Sequence, residues 1–198
     1  MKKYMLPFGI YVLTVPILSY FFKLEIQLAH AIKYILVFAL LVYFWKDYKL
    51  KFKFEIVPIL AGLLILIIWI GLEDHYPLLY ETSFVPNSNL MLTLKLFGFI
   101  IVAPLIEELF TRGFLIRIFS KLDYEKFPVG KFTWLPFIMT VLFFGFSHNR
   151  WVVGLVAGIL LNLLYYHKKT VSSTIIAHFA ANLALAIYIV HNSYWFFW

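Results

Sequence analysis

Three short clusters place ionisable and amide side chains inside apolar stretches of this 198-residue chain. In chain order they are Glu107, Glu108 and Arg112, then His148, then His178 and Asn182. A charged side chain at the centre of a membrane helix costs about 2.5–3.5 kcal/mol on insertion scales, so such groups need a partner or a function. A carboxylate can act as general base on water, a histidine can orient that water, and a histidine with an asparagine can donate hydrogen bonds to an oxyanion. These residue types therefore predict hydrolysis by an activated water.

Helical spacing separates the two glutamates. Glu108 and Arg112 are four residues apart, which predicts an ion pair on one helix face. Glu107 is turned about 100° away and has no basic residue one turn along. We therefore expect Glu108 and Arg112 to support the structure and Glu107 to carry the chemistry. The alternative, in which all three form a buried polar clasp between helices, remains open at this point.

The composition is that of an integral membrane protein. Hydrophobic residues make up 63% of the chain and charged residues 14%, and the mean hydropathy is +0.88. Soluble domains contain roughly 45–50% apolar and about 25% charged residues. Residues 1–198 are therefore predicted to form a single all-α domain, a polytopic transmembrane helix bundle. The absence of cysteine excludes disulfides, thiolate metal ligands and a cysteine nucleophile.

Seven hydrophobic stretches approach the length of about 20 residues that a membrane span requires. They are Tyr4–Phe22, Ala29–Trp45, Ile56–Leu72, Asn89–Ser120, Phe132–Ser147, Trp151–Tyr166 and Val171–Val190. The fourth is too long for a bilayer of about 30 Å, and Pro104 is a candidate kink within it. Glu107 would lie near mid-depth if the later part of this stretch spans the membrane, and near the cytoplasmic surface if the earlier part does. The core that carries the motifs is expected at about residues 89–190.

The charged residues between the stretches predict an orientation. The basic connections include the lysines at 46, 49, 51, 53, 121, 126, 131, 168 and 169, whereas the segment Glu73–Ser88 has no Lys or Arg. Positive residues favour the cytoplasmic side. This pattern predicts a multi-pass protein of the inner (cytoplasmic) membrane with a cytoplasmic N-terminus, and an outer interfacial anchor at Tyr194–Trp198. The net charge of +7 is then explained by these loops, and we expect no nucleic-acid partner.

The three clusters resemble the motifs of the CPBP (Abi) family of glutamic-type intramembrane proteases, which are related to the type II CAAX prenyl endopeptidase. The resemblance covers about Ala103 to Leu185. It implies that Glu107 and His148 activate water and that His178 and Asn182 form the oxyanion hole, with Glu108 and Arg112 in support. It also implies a membrane-anchored protein or peptide as substrate and no cofactor. A zinc ion held by Glu and His side chains is the alternative to a metal-free mechanism.

A narrower resemblance concerns the substrate. Trp69–Glu73, Asp123–Pro128 and the aromatic C-terminus are similar to the CAAX-protease-related proteins associated with bacterial exosortase systems, which implies substrates with a C-terminal sorting helix. Prenylated-like substrates are the other possibility.

Two different functions also fit the residues. One is a non-catalytic membrane scaffold or immunity-type protein that keeps the polar clasp for packing. The other is a transporter with a proton relay, which predicts inverted repeats that the sequence does not show.

Overall fold

The computed structural model describes residues 1–120 and 128–198, and these residues form helices with no strand among them. Seven helices are long enough to form a bundle. They are α1 (Lys2–Phe21), α2 (Ile26–Tyr43), α3 (Ile56–Gly71), α4 (Asn89–Ile118), α5 (Trp134–Phe146), α6 (Trp151–Lys168) and α7 (Val171–Asn192). Five are long and apolar enough to cross a membrane, and α3 and α5 are shorter apolar helices. The predicted all-α membrane bundle is therefore confirmed.

The bounds of the helices differ from the predicted ones by up to three residues. Helix α2 begins three residues earlier than expected because the Glu25 carboxylate accepts hydrogen bonds from the backbone amides of Gln27 and Leu28, which caps the helix. Helix α5 begins at Trp134 and ends at Phe146, so that His148 lies in the turn that follows it. The connection with Lys121 and Lys126 lies outside the described residues, as does most of the Asp123–Pro128 segment.

Helix α4 is one continuous element of 30 residues that contains all of the first cluster. At about 1.5 Å per residue it is longer than the apolar thickness of a bilayer. Two π-helical turns interrupt it, at Gly98–Val102 and Thr111–Leu115. Pro104, the predicted kink, directly follows the first of these turns at the start of the next α-helical segment.

The two ends of the bundle differ in charge. Lys3, Lys49, Lys51, Lys53, Lys168 and Lys169 gather around one surface depression. There Lys3 Nζ donates to the Asp47 carbonyl oxygen, and Lys168 pairs with Glu55. The segment 73–88 and the C-terminus meet elsewhere in the bundle, where the Phe84 amide donates to the Trp195 carbonyl oxygen. Of the aromatic residues predicted to form an interfacial anchor, Phe197 and Trp198 are buried against the protein, and the anchor itself stays a prediction.

Helix α7 packs against α3 at a glycine, and this contact predicts a stability effect. A Cβ atom at Gly62 would overlap the backbone carbonyl oxygen of Ala177, which cannot rotate out of the way. Gly62→Ala is therefore expected to lower the free energy of unfolding by about 1–3 kcal/mol, measured by thermal unfolding in detergent. Gly71→Ala is the control, because a Cβ at Gly71 meets nothing within 4 Å. Equal melting temperatures for the two variants would contradict this packing.

Candidate active site

One cavity of about 320 Å³ is lined by side chains from α1, α2, α3, α4, α6 and α7 and from the end of α5. All four residues predicted to be catalytic lie on its wall: Glu107, His148, His178 and Asn182. The three sequence clusters therefore meet at one place, although 75 residues separate the first from the last. Only some of the wall is polar, and phenylalanine and leucine side chains supply much of the rest.

Glu107 is held by a residue that the sequence did not single out. The hydroxyl of Tyr11, on α1, donates a 2.9 Å hydrogen bond to Glu107 Oε1. The other oxygen, Oε2, lies 3.8 Å from His148 Nε2. The Glu107 and His148 side chains keep 17% and 22% of their surface exposed, so a small molecule in the cavity can reach both.

The hydrogen bonds of His148 determine which ring nitrogen carries the proton and which has a free lone pair. His148 Nδ1 lies 2.7 Å from the Phe144 carbonyl oxygen. A carbonyl oxygen only accepts hydrogen bonds, so this contact requires the proton on Nδ1 and leaves Nε2 of the neutral ring as an acceptor. Two acceptors, Glu107 Oε2 and His148 Nε2, thus face each other at 3.8 Å. One water molecule can donate its two protons to this pair.

Glu108 and Arg112 form the predicted ion pair at 2.9 Å, and both side chains are fully buried. The Arg112 guanidinium also donates to Asn162 Oδ1 at 3.0 Å and to the Gly158 carbonyl oxygen at 3.1 Å. His178 Nδ1 lies 3.0 Å from Glu108 Oε1. A polar clasp therefore joins α4, α6 and α7 through Glu108 and Arg112. Glu107, whose contacts are Tyr11 and His148, is not part of that clasp.

Asn182 is fixed by an unusual feature of α4. In the π-helical turn the Ala103 amide bonds to the Gly98 carbonyl oxygen, five residues back. In the same register the Phe99 carbonyl oxygen would accept a hydrogen bond from the backbone amide of residue 104. Residue 104 is a proline, which has no N–H and cannot donate this hydrogen bond. Asn182 Nδ2 supplies that hydrogen bond at 2.8 Å. The second N–H of the amide remains available to a group in the cavity.

Comparison with known protein families identifies the part of the chain that carries this site. Residues 89–184, about half of the chain, match the family described as type II CAAX prenyl endopeptidase Rce1-like. Over these residues the chain is similar to this family. No curated protein and no solved structure gives a significant match. The protein is thus a multi-pass membrane protein of the CAAX protease class, and its substrate class is peptide. The exosortase-associated subgroup stays a prediction.

The turn that carries His148 in this Rce1-like protein is tied to the segment 73–88. The Leu79 amide donates to the Asn149 carbonyl oxygen at 2.9 Å, and Asn149 Nδ2 donates to Thr82 Oγ1 at 2.9 Å. Arg150 forms an ion pair with Glu73. These contacts hold the two residues that follow His148, so the segment that the sequence predicted as an acidic loop also positions the site.

The zinc alternative can be tested against the donor atoms that are present. In residues 1–120 and 128–198, no three His, Asp or Glu side chains converge as a group that could hold a metal ion. Glu107 and His148 face each other, but His178 directs Nδ1 to Glu108, which belongs to the clasp with Arg112. The described residues of the Rce1-like protein therefore do not fit a zinc site with Glu and two His ligands.

Proposed function

We propose that this Rce1-like protein is an intramembrane endopeptidase in which Glu107 and His148 activate the water that hydrolyses a peptide bond. The observation that carries the proposal is the pair of acceptors, Glu107 Oε2 and His148 Nε2, that face each other at 3.8 Å on the cavity wall. A general base must be within hydrogen-bonding reach of the proton that it removes, and a water that lies about 2.8 Å from each of these two atoms, to one side of the line that joins them, meets that condition.

The reaction follows from the positions of these groups. Glu107 takes one proton from the bound water while His148 Nε2 accepts the hydrogen bond of the other. The water oxygen attacks the carbonyl carbon, whose oxygen then carries the negative charge. Glu107 next gives the proton to the amide nitrogen, the C–N bond breaks as the oxyanion re-forms a C=O bond, and the products are a carboxylic acid, which keeps the second water proton, and an amine. Tyr11 keeps the Glu107 carboxylate oriented throughout.

In this proposal Asn182 and His178 stabilise the oxyanion. The free N–H of Asn182 can donate to it, and His178 can donate from Nε2 when its ring carries both protons, since Nδ1 already faces Glu108. Donors held in place before the reaction need no rearrangement as charge develops. Glu108 and Arg112 support the site by holding α4 and α7 together through the buried clasp.

Asn182→Ala is expected to lower the cleavage rate by about 10²–10³-fold, the usual cost of losing one oxyanion donor. The measurement is kcat on a cleaved peptide, with melting temperature recorded in parallel. Asn192→Ala is the matched control, because Asn192 lies on the same helix, is exposed and donates to the Tyr188 carbonyl oxygen four residues back. An Asn182→Ala enzyme as fast as the control would remove Asn182 from the mechanism.

We further propose that the protein lies in the inner (cytoplasmic) membrane with its N-terminus in the cytoplasm. The lysines gathered at one end of the bundle support this orientation, because positive residues favour the cytoplasmic side. The proposed substrates are membrane-anchored proteins or peptides, either with a C-terminal sorting signal or prenylated-like.

The direct test of the function is cleavage of a panel of membrane-anchored peptides by the purified protein in vesicles, with a metal chelator present throughout. We expect at least one peptide to be cut at a single bond, at the same rate with and without chelator. Loss of cleavage on chelation would contradict the metal-free mechanism. A folded protein that cuts no member of the panel would favour the scaffold function instead.

A further inference from the structure

The basic depression at the lysine-rich end of the bundle is separate from the catalytic cavity. Among the described residues, none lines both. Helix α4 contributes Glu107 to the cavity but Leu109 and Gly113 to the depression, so the two lie against different faces of that helix. The depression measures about 660 Å³ and has no part in the proposed peptide hydrolysis.

Positive charge dominates the wall of the depression. Six lysines of the described chain line it, against two carboxylates, those of Asp47 and Glu55. Lys168 pairs with Glu55, and none of the other five lysines has an ion pair within residues 1–120 and 128–198. The positive-inside rule accounts for lysines at this end of the bundle. It does not account for lysines from the start of α1, the α2–α3 connection and the α6–α7 turn around one depression, where their mutual repulsion favours a bound anion.

The first turn of α7 adds hydrogen-bond donors to the same wall. Thr170, Ser172 and Ser173 line the depression at the N-terminus of this 22-residue helix, and the free amides of a helix N-terminus favour anions. Ser172 Oγ accepts a hydrogen bond from the Lys51 amide at 3.2 Å, which leaves its own O–H to donate. Ser173 is only 3% exposed, and its hydroxyl has no hydrogen-bond partner in the described part of the chain. An anion in the depression would supply that partner.

The chemistry of this wall matches a phosphate group. Phosphate carries several oxygen atoms that accept hydrogen bonds, and hydroxyls, lysine ammonium groups and helix N-termini are common partners of it in proteins. Lysines alone would attract any anion. The buried hydroxyl and the helix N-terminus beside them add directed donors, which favour a ligand with oxygen atoms on more than one side.

The surroundings of the depression favour a phosphate that belongs to a lipid. From Lys49 to Phe54 lysines alternate with apolar residues, and Phe52 and Phe54 are 47% and 91% exposed. The exposed Trp45 ring stacks on Phe52, with the centroids 6.2 Å apart. Exposed aromatic rings beside lysines are typical of the membrane interface, where the rings contact acyl chains and the ammonium groups reach the headgroups.

We propose that the basic depression binds the phosphate of an anionic phospholipid, with Lys169 and Ser173 among its ligands. Basic pockets between membrane helices on the cytoplasmic side have the chemistry that recognises such headgroups. At about 660 Å³ the depression has room for a phosphate with its glycerol, and the acyl chains would lie against the exposed aromatic rings. The inference goes beyond the proposed endopeptidase function and does not depend on it.

The test is titration of the purified full-length protein in detergent with dioleoylphosphatidylglycerol, followed by native mass spectrometry. We expect wild type to bind this lipid at least about tenfold more tightly than dioleoylphosphatidylcholine. Lys169→Asn should weaken binding of the anionic lipid about fivefold, the usual effect of one lysine near anionic headgroups. Ser173→Ala should weaken it about tenfold without a change in net charge, because a hydrogen bond to a charged group is lost.

Lys23→Asn is the matched control for Lys169→Asn. Lys23 and Lys169 have the same left-handed backbone conformation, with φ of 54° at both, and asparagine tolerates this conformation. Lys23 is exposed and does not line the depression, so Lys23→Asn should bind the anionic lipid as wild type does. The melting temperature of each variant without added lipid shows whether it is folded. If Ser173→Ala does not fold, Lys169→Asn and its control decide the outcome.

Four results would overturn the inference. Equal affinity of wild type for the anionic and the zwitterionic lipid would show that the depression does not select an anionic headgroup. Equal losses in Lys23→Asn and Lys169→Asn would show that diffuse charge attracts the lipid. Wild-type binding by folded Ser173→Ala would remove the donors at the start of α7. Binding of glycerol 3-phosphate as tight as that of the lipid would assign the depression to a soluble phosphate.

Discussion

Glu107→Gln is expected to slow peptide cleavage by about 10³–10⁴-fold, toward the upper end of the effect of a general base. Glutamine keeps the size and the oxygen that accepts from Tyr11, so the hydrogen bond of 2.9 Å can survive. What is lost is the basic oxygen that faces His148. The water would then have no group that can take its proton and later deliver it to the leaving nitrogen. The measurement is single-turnover cleavage of the best peptide, normalised to folded protein.

The control for this variant is Glu81→Gln. Glu81 is an exposed carboxylate in the segment 73–88, and its substitution should leave the rate unchanged. Tyr11→Phe offers a graded comparison, because it removes the hydroxyl that orients Glu107 but leaves the base itself. A smaller loss than that of Glu107→Gln is expected. Full activity of Glu107→Gln would contradict the assignment of Glu107 as the base.

Arg112→Met is expected to lower the free energy of unfolding by about 3–5 kcal/mol, since it leaves the fully buried Glu108 without its cation. Arg112 also donates to Asn162 and to the Gly158 carbonyl oxygen, so the variant loses contacts between α4 and α6. The measurement is equilibrium unfolding in detergent, with the folded yield after purification as a second readout.

The double variant Glu108→Gln/Arg112→Met separates the lost charge pair from lost packing. It removes both charges, so it should be less destabilised than the sum of the two single variants. Additive losses would show that Glu108 and Arg112 do not act as a pair. A stable Arg112→Met protein would contradict the clasp as a support for the site.

The sequence predicts the Glu108–Arg112 ion pair because that pair depends on a local rule, and it predicts the apolar helices whose packing can bring the three clusters together. Hydropathy indicates the helices, and four-residue spacing pairs Glu108 with Arg112. Tyr11 was not predicted, since a tyrosine in an apolar first span has no spacing that marks it. Asn182 was predicted as a site residue, but its hydrogen bond to Phe99 depends on the π-helical register of α4, which hydropathy does not reveal.

The part of the cavity wall near Lys33 and Lys95 is the part that the sequence reveals least. Lys33 and Lys95 are single charged residues within apolar stretches, and they lie outside the three sequence clusters and outside the connecting loops. The aromatic C-terminus was expected at the membrane interface, yet Trp198 is buried and lies over Lys95. These contacts join segments that are far apart in the chain, and only the packing of the helices brings them together.

The most direct test of the central claim compares the two adjacent glutamates. Cleavage rate per folded molecule and melting temperature should be measured for wild type, Glu107→Gln and Glu108→Gln, with chelator present. We expect Glu107→Gln to keep the wild-type melting temperature and lose cleavage, and Glu108→Gln to melt at a clearly lower temperature. A Glu107→Gln protein that cuts at the wild-type rate, or that loses as much stability as Glu108→Gln, would contradict the separation of chemistry from support on which the proposed function depends.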